Sequence, residues 1–568
     1  MKIFQKVFIV NLFLTIGVAL AATAAFAVVI PGPADINRLA PEQSTTPTPP
    51  SAGQTITIPP AVTAITPPPK NAKKIHFVLR AVKFEHVTAF SPQQLESLYA
   101  PYIGKKVTLD LAWRIADALT AKYRQKGYFL SRAFVPAQEV SNGTLKIKAL
   151  EGSIGTVTLT GEKAPDSAVI SKALEAIKAE KPIRLQTMER ELLLLNDLPG
   201  FSFQAVLAPS QKESAEAHLI LAVAKTKGAT TLTINNSGSR YIGPNETSAA
   251  WSGSLLPLQQ TDLSIIEVPP LSSRDGKLFT LNATQKITLL PTTVLDITAG
   301  YSNAAPGYTL KPDDIISHAT NGGIGISYRL IRQRQQNLST RLAVDFHDTA
   351  TDILQTPLSR DHIRAAQWGV NYDSADSWLG HNYLDIELRH GLPVFNSSRA
   401  SDADLSRPDV HPDFTKLQLN YTRLQAMTKD WSSLLVVSGQ KASGTLYTSE
   451  EFGYGGTAIG RAYDPSEISG DDGVSGSVEL HYNSLPQWRQ TAFSPYAFYD
   501  IGKTWNLYPS APSHLSGASA GPGLTVQNVS GLSGSFYVAA PLTKPVNVPL
   551  YSSSGKAPRY AFQVSYKF

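Results

Sequence analysis

The closing stretch Pro558 to Phe568 puts Tyr560, Phe562, Val564, Tyr566 and Phe568 on one side of an extended chain and Ala561, Gln563, Ser565 and Lys567 on the other. A strand of about ten residues with an apolar outer face and a polar inner face is the unit of a membrane β-barrel. One such strand fits a soluble sheet equally well, so the weight falls on recurrence. Leu338, Thr340, Leu342, Val344 and Phe346 alternate with Ser339, Arg341, Ala343, Asp345 and His347. Leu384, Ile386 and Leu388 alternate with Asp385, Glu387 and Arg389, and Leu417, Leu419 and Tyr421 with Lys416, Gln418 and Asn420. Val478, Leu480 and Tyr482 alternate with Glu479, His481 and Asn483. Charged faces on strand after strand are costly inside a packed soluble core, whereas they suit a water-filled lumen.

Composition is compatible with this because a barrel hides its lipid face in an average: 42% of the 568 residues are hydrophobic. Beyond the N-terminus no run reaches the ~18 apolar residues of a membrane helix, so a bilayer must be crossed by strands. Lys2 and Lys6, the mostly apolar run Val7 to Ala22 and the small-x-small site Ala25-Phe26-Ala27 together make a secretory signal peptide over 1–27, with cleavage expected after Ala27. An export signal followed by barrel strands implies passage through the periplasm of a Gram-negative cell. The chain has no cysteine, which excludes disulfide staples, thiolate metal sites and a cysteine nucleophile. The formal charge of +6 is spread without a concentrated Lys/Arg block, so it reads as solvated and lumen-facing surface and not as a nucleic-acid footprint.

In chain order, residues 28–72 form an N-terminal segment and a linker rich in Pro, Thr and Ser from Thr45 to Lys70, which is expected to be extended or disordered. Residues 73–152 read as a compact βααββ unit: a strand Ile75 to Phe84, a short helix from Pro92, a helix Leu109 to Lys126 stopped by Gly127, and strands Ser131 to Val135 and Thr144 to Leu150 around Asn142-Gly143. Residues 153–225 repeat that order, with strands at Ile154 to Thr160, Phe201 to Leu207 and Ala217 to Ala224, and helices near Asp166 to Glu180 and Leu185 to Asn196. The last helix is stopped by Asp197-Leu198-Pro199-Gly200. Residues 226–568 then leave room for some sixteen strands at roughly 21 residues per strand and connection.

Several motifs in this order resemble the hemolysin secretion/activation family of two-partner secretion transporters. They are Tyr123-Arg124-Gln125-Lys126-Gly127-Tyr128, Pro136-Ala137-Gln138, Asn142-Gly143-Thr144-Leu145 and Met188 through Gly200. The resemblance implies two periplasmic α+β POTRA domains before an antiparallel transmembrane β-barrel of about sixteen strands. It further concerns Phe452-Gly453-Tyr454-Gly455-Gly456, then Ile459-Gly460-Arg461-Ala462-Tyr463 and Gly470-Asp471-Asp472-Gly473. In the family a long loop here folds back into the lumen with Val-Arg-Gly-Tyr at its tip, and an aspartate of a later strand, corresponding to Asp500, holds the arginine. This chain departs from that motif, with Gly460 where valine is usual and Ala462 where glycine is. Pro31 to Arg38 resembles the start of the family's pore-occupying N-terminal helix, with a disordered tail as the other reading.

What the family does is implied for this chain in the same way. Its partners would be a secreted, hemolysin- or adhesin-like exoprotein, outer-membrane lipids and, during biogenesis, the barrel assembly machinery, which would read the C-terminal strand ending at Phe568. An assembly factor that inserts other barrels is the alternative function, and a passive nutrient porin leaves the two α+β units unexplained. An enzyme is not expected. Gly517-Ala518-Ser519-Ala520-Gly521 matches the G-x-S-x-G nucleophile pattern, yet no Asp, Glu or His follows Ser519 to complete a hydrolase triad. No cofactor or metal site is expected, since the spacings around Asp313-Asp314 and Asp471-Asp472 do not form a calcium loop.

Overall fold

A computed structural model describes residues 30–36, 68–209, 216–509, 511–544 and 555–568. The expected signal peptide and most of the proline-rich stretch lie outside these residues.

The first α+β unit contains β1 (His76–Val78), β2 (Ala81–Glu85), α1 (Pro92–Glu96), β3 (Lys106–Thr108), α2 (Leu111–Gln125), β4 (Arg132–Phe134) and β5 (Thr144–Leu150). The single strand expected from Ile75 to Phe84 is therefore two strands. At fully buried Leu79 the chain changes partners. Leu79 N donates to Lys105 O (3.1 Å), whereas Arg80 N donates to Gly143 O (2.8 Å). Thus β1 pairs with β3, and β2 pairs with β5 in a three-stranded sheet of order β2-β5-β4. Against this sheet α2 buries Leu111, Ile115, Leu119 and Tyr123, one residue per turn along a single stripe.

The second unit contains β6 (Ser153–Gly161), α3 (Ala168–Ala179), α4 (Leu185–Asn196), β7 (Phe201–Pro209) and β8 (Glu216–Lys225), with β8 central in the sheet. Its core includes Ile177, Met188, Leu195, Phe203 and Leu221, and Phe129 and Leu130 of the first unit pack against it. Backbone bonds also cross the junction, from Ile183 N to Gly152 O (2.9 Å) and from Leu185 N to Gly127 O (2.8 Å). The two units are thereby packed together and not merely strung.

The barrel begins with β9 (Ala229–Asn235), β10 (Glu246–Gly253), β11 (Gln259–Val268), β12 (Lys277–Leu290), β13 (Thr293–Ala305), β14 (Ile316–Arg332), β15 (Gln336–Ile353) and β16 (Thr356–Ala375). It continues with β17 (Gly380–Gly391), β18 (Thr415–Ala426) and β19 (Trp431–Ala442). A short hairpin of β20 (Phe452–Tyr454) and β21 (Ile468–Gly470) stands apart from the wall, and β22 (Asp472–Tyr482), β23 (Thr491–Trp505), β24 (His514–Asn528), β25 (Leu532–Pro541) and β26 (Arg559–Lys567) complete it. All neighbours are antiparallel, and β26 closes on β9. The alternation seen in the sequence sets the two faces. Leu342, Val344 and Phe346 are exposed on the outside, as are Tyr560, Phe562, Val564 and Tyr566, whereas Ala343, Arg559 and Ala561 are buried inside.

Because β8 feeds directly into β9, the Ala229 end of the barrel faces the α+β units. At this end Arg332 of β14 grips Asp197 with two parallel bonds, Nε to Oδ2 (2.8 Å) and Nη2 to Oδ1 (2.7 Å). Arg334 lies 3.3 Å from Glu189. Asp197 belongs to the stop signal after α4, so the residue that ends the helix also fixes the unit to the barrel. At the opposite end, Ile36 is buried with Ile242, Val268, Leu278, Ala304 and Ala319. The structure therefore places residues 30–36 inside the far half of the lumen, the first of the two readings of this segment.

Glu151, at the junction of the two α+β units, accepts bonds from Thr88 N (2.8 Å), Ala89 N (2.9 Å), Tyr123 Oη (2.8 Å) and Thr88 Oγ1. Burial alone would raise its pKa, but these bonds outweigh burial and hold the carboxyl below its usual range. A depressed folded pKa means stabilisation that is complete above the unfolded value, about 4.3, and lost as pH falls through the folded value. The thermal transition of the first unit in the full-length protein is expected to drop on acidification below about pH 4. In Glu151→Gln that acid-dependent drop is expected to shrink, and an unchanged acid profile would contradict the assignment.

Candidate functional site

Between β19 and β22, residues 443–471 fold back into the barrel, and the sequence accounts for how they do so. The β20–β21 hairpin carries Phe452 and Tyr454, both buried, and the connection between its two strands carries fully buried Tyr463. The wall leaves room for them at glycines: a Cβ at Gly502 would collide with the Tyr454 ring, and one at Gly473 with Phe452. The rings of Tyr454 and Tyr463 pack 5.7 Å apart, and Tyr463 Oη donates to Ala518 O (3.0 Å). At the tip, Gly460 has φ of +82°. This left-handed conformation is open to glycine and strained for valine, so the departure from the family motif at this position has a backbone cause.

The tip places Arg461 against three adjacent wall strands. Asp500 of β23 stands directly across from Ser477 of β22 and from Ser519 of β24. Asp500 Oδ2 accepts from Gly460 N (3.1 Å), Arg461 N (3.0 Å) and Ser519 Oγ (3.1 Å). The Arg461 guanidinium lies 3.4 Å from Asp500 Oδ1 and 2.6 Å from Glu479 Oε1. Its Nη2 also donates to Ser477 Oγ (2.8 Å), and the Phe498 ring lies beneath it at 4.1 Å. Arg461 is 3% exposed and Asp500 0%. Sequence reasoning named Asp500; it did not single out Glu479, which makes the shorter ion pair. The available signal was register: Ser477 and Glu479 are two apart on the inward face of β22, so both can reach one guanidinium. Ser519 of the G-x-S-x-G match is the third strand's contribution, and it orients Asp500.

The rest of the loop is held by further ion pairs, in which Glu450, Glu451 and Arg407 were not singled out by the sequence. Near its start, buried Glu450 lies 3.0 Å from Arg389 of β17 and 2.9 Å from Lys416 of β18, and Arg389 also pairs with Asp345 of β15 at 2.7 Å. Arg407, from the connection between β17 and β18, bridges Glu451 (2.8 Å) and Asp471 (2.6 Å), which flank the β20–β21 hairpin. Among the described residues no group of three or more His, Cys, Asp or Glu is placed to hold a metal ion. Phe568, the expected targeting residue, exchanges two backbone bonds with Thr230 (2.9 and 3.0 Å) and so extends the closing ladder.

Comparison with known proteins agrees with this architecture. The family model "POTRA domain, ShlB-type" matches residues 77–152, and "Haemolysin secretion/activation protein ShlB/FhaC/HecB" matches residues 294–524. The heme/hemopexin transporter protein HuxB of Haemophilus influenzae is 23% identical over 80% of this chain and 80% of its own. The outer membrane transporter CdiB of Dickeya dadantii is 23% identical over 72% of this chain and 73% of its own. Among solved structures, CdiB from Escherichia coli superposes with a TM-score of 0.70 at 20% identity, covering 91% of this chain and 94% of that one. CdiB from Acinetobacter baumannii gives a TM-score of 0.61 at 17% identity over 87% and 90%. With POTRA units on one side of a closed outer-membrane barrel and both family models matched in order, the chain belongs to the hemolysin secretion/activation family of two-partner secretion transporters.

Proposed function

We propose that this transporter captures one unfolded secreted partner in the periplasm and conducts it through the barrel to the cell surface, with the loop of Arg461 as its gate. The observation that carries the reading is a lumen occupied by two segments of the chain itself: residues 30–36, where Ile36 sits in an apolar cluster, and the loop 443–471, which is held by ion pairs at Glu450, Arg461, Asp464 and Glu467. Such contacts can be exchanged for water or for passing chain, whereas a packed apolar core cannot. Capture is assigned to the open sheet edges of the POTRA units, β2 and β4 in the first and β6 and β7 in the second. An added strand there gains main-chain bonds whatever its sequence. Folding of the emerging chain outside would give the movement direction, and no bond is made or broken in the partner.

Arg461, held between Glu479 and Asp500, fixes the gate in its closed place, and the strand ending at Phe568 is the segment offered to the assembly machinery during biogenesis.

Removal of the protein from its host is expected to eliminate one large protein from the culture medium and leave other outer-membrane barrels at normal levels. Unchanged secretion with depleted outer-membrane proteins would instead support the assembly function. Arg461→Ala leaves buried carboxylates without their cation, a change that costs about 3–5 kcal/mol at a buried pair. It is expected to lower secretion at least ~10-fold in protein that still migrates as a folded barrel, and full-rate secretion would remove Arg461 from the gate.

A further inference from the structure

The two POTRA units share an architecture but differ in charge. Between residues 73 and 152 there are 13 Lys and Arg against 6 Asp and Glu, whereas between 153 and 225 there are 8 against 9. Their pairing differs as well. In the second unit Lys181 pairs with Glu216, Arg184 with Glu180, Arg190 with Glu191 and Lys225 with Glu162. Among the described residues of the first unit only Arg114 has a carboxylate partner, Asp110.

Strand alternation gathers four of the unanswered cations on one face. On β5 the side chains of Leu145, Ile147 and Ala149 are buried toward α2, which turns Lys146 and Lys148 to the other side of the sheet. Lys83 of β2 stands across from Lys146, and Arg132 of β4 across from Leu150, so three adjacent strands contribute. Glu85 is the acid of this face, and it stands across from Lys148 without an ion pair between them. The Arg132 guanidinium is half-buried with no hydrogen-bond partner among the described residues, and burial pushes its pKa down.

The same unit has a place for a strand. The outward edge of β2 has no hydrogen-bonded neighbour among the described residues, whereas at the opposite edge Ala133 N of β4 already donates to Thr120 Oγ1 (2.9 Å). A strand added to β2 lies ~5 Å from it and ~10 Å from β5. On one side its residues meet Val82 and Phe84, which pack against the core. On the other they meet Lys83, with Lys146 and Lys148 close enough for long side chains to reach.

We infer that POTRA 1 selects an acidic stretch of the secreted partner, a strand alternating apolar residues with Asp or Glu and seated on β2 with its carboxylates toward Lys83, Lys146 and Lys148. The inference rests on capture by strand addition and supplies the sequence preference that main-chain bonds lack. Anionic lipid is the other anion within a periplasmic unit's surroundings. It is POTRA 2, however, that is bonded to the barrel rim, and a headgroup makes no use of an open strand edge.

The test uses the full-length protein in lipid nanodiscs and a labelled peptide of about ten residues that alternates Val or Thr with Glu, its binding followed by fluorescence anisotropy. This peptide is expected to bind at least ~10-fold tighter than the same peptide with Gln for Glu. The advantage is expected to vanish in Lys83→Gln/Lys146→Gln/Lys148→Gln and in about 0.5 M salt. It is expected to persist in Lys163→Gln/Lys172→Gln/Lys178→Gln, which removes as much charge from the second unit. Equal binding of the two peptides would overturn the charge selection and leave strand capture standing, whereas binding of neither would remove capture as well. An advantage that disappears when phosphatidylglycerol replaces neutral lipid in the discs would assign the face to the membrane and likewise overturn the inference.

Discussion

In hydrocarbon an unpaired peptide group costs several kcal/mol, and a sheet that crosses a bilayer therefore has to close on itself. Closure here takes sixteen strands in one ring, and a ring of that size is too wide for its own inward side chains to fill. The space has to hold water or chain. In this protein it holds chain, and the way that chain is bound decides what the molecule can do.

The lumen is lined with opposite charges on strands two apart in the wall, such as Arg341 of β15 with Asp296 of β13 at 2.5 Å and Arg389 of β17 with Asp345 of β15 at 2.7 Å. The loop 443–471 enters this lattice by supplying its own ions at four places: Glu450 near its start, Glu451 and Asp471 flanking the β20–β21 hairpin, Arg461 at the tip, and Asp464 with Glu467 at the β26–β9 seam. Aromatic rings seated over Gly473 and Gly502 give the loop its shape, while the ion pairs give it its address. Buried ion pairs contribute little net stability but strongly penalise the wrong partner, which suits an element that has to return to one place after moving. On the periplasmic side, Arg332 and Asp197 hold POTRA 2 against the barrel, so a chain bound at its sheet edges is delivered beside the pore.

The barrel was legible because its signal is period two, the simplest a sequence can carry: Leu342, Val344 and Phe346 face out, as their alternation required. The helix faces of the POTRA units were legible for the same kind of reason, since Leu111, Ile115, Leu119 and Tyr123 fall on one stripe. The break at Leu79 was not, because a change of backbone partner leaves no trace in hydrophobicity, and the three-residue β3 is too short to show a period. The site was half legible. Arg461 and Asp500 stood out through a resemblance to a known motif, whereas Glu479 became a partner only through the register of β22, and Arg240 and Arg559 only through barrel closure, which sets Arg240 beside Asp464 across 224 positions. The left-handed backbone at Gly460 explains the motif's missing valine only once the turn is seen.

The central claim is that the loop leaves its place in the lumen during transport. The chain has no cysteine, so spin labels attached at Thr457→Cys on the exposed part of the loop and at Val529→Cys in the exposed turn between β24 and β25 report a single distance. Measured by pulsed electron resonance in membranes, that distance is expected to be narrow and unimodal at rest and to gain a second, displaced population when the secreted partner is engaged. One unchanged distribution while the partner is being transported would contradict the account.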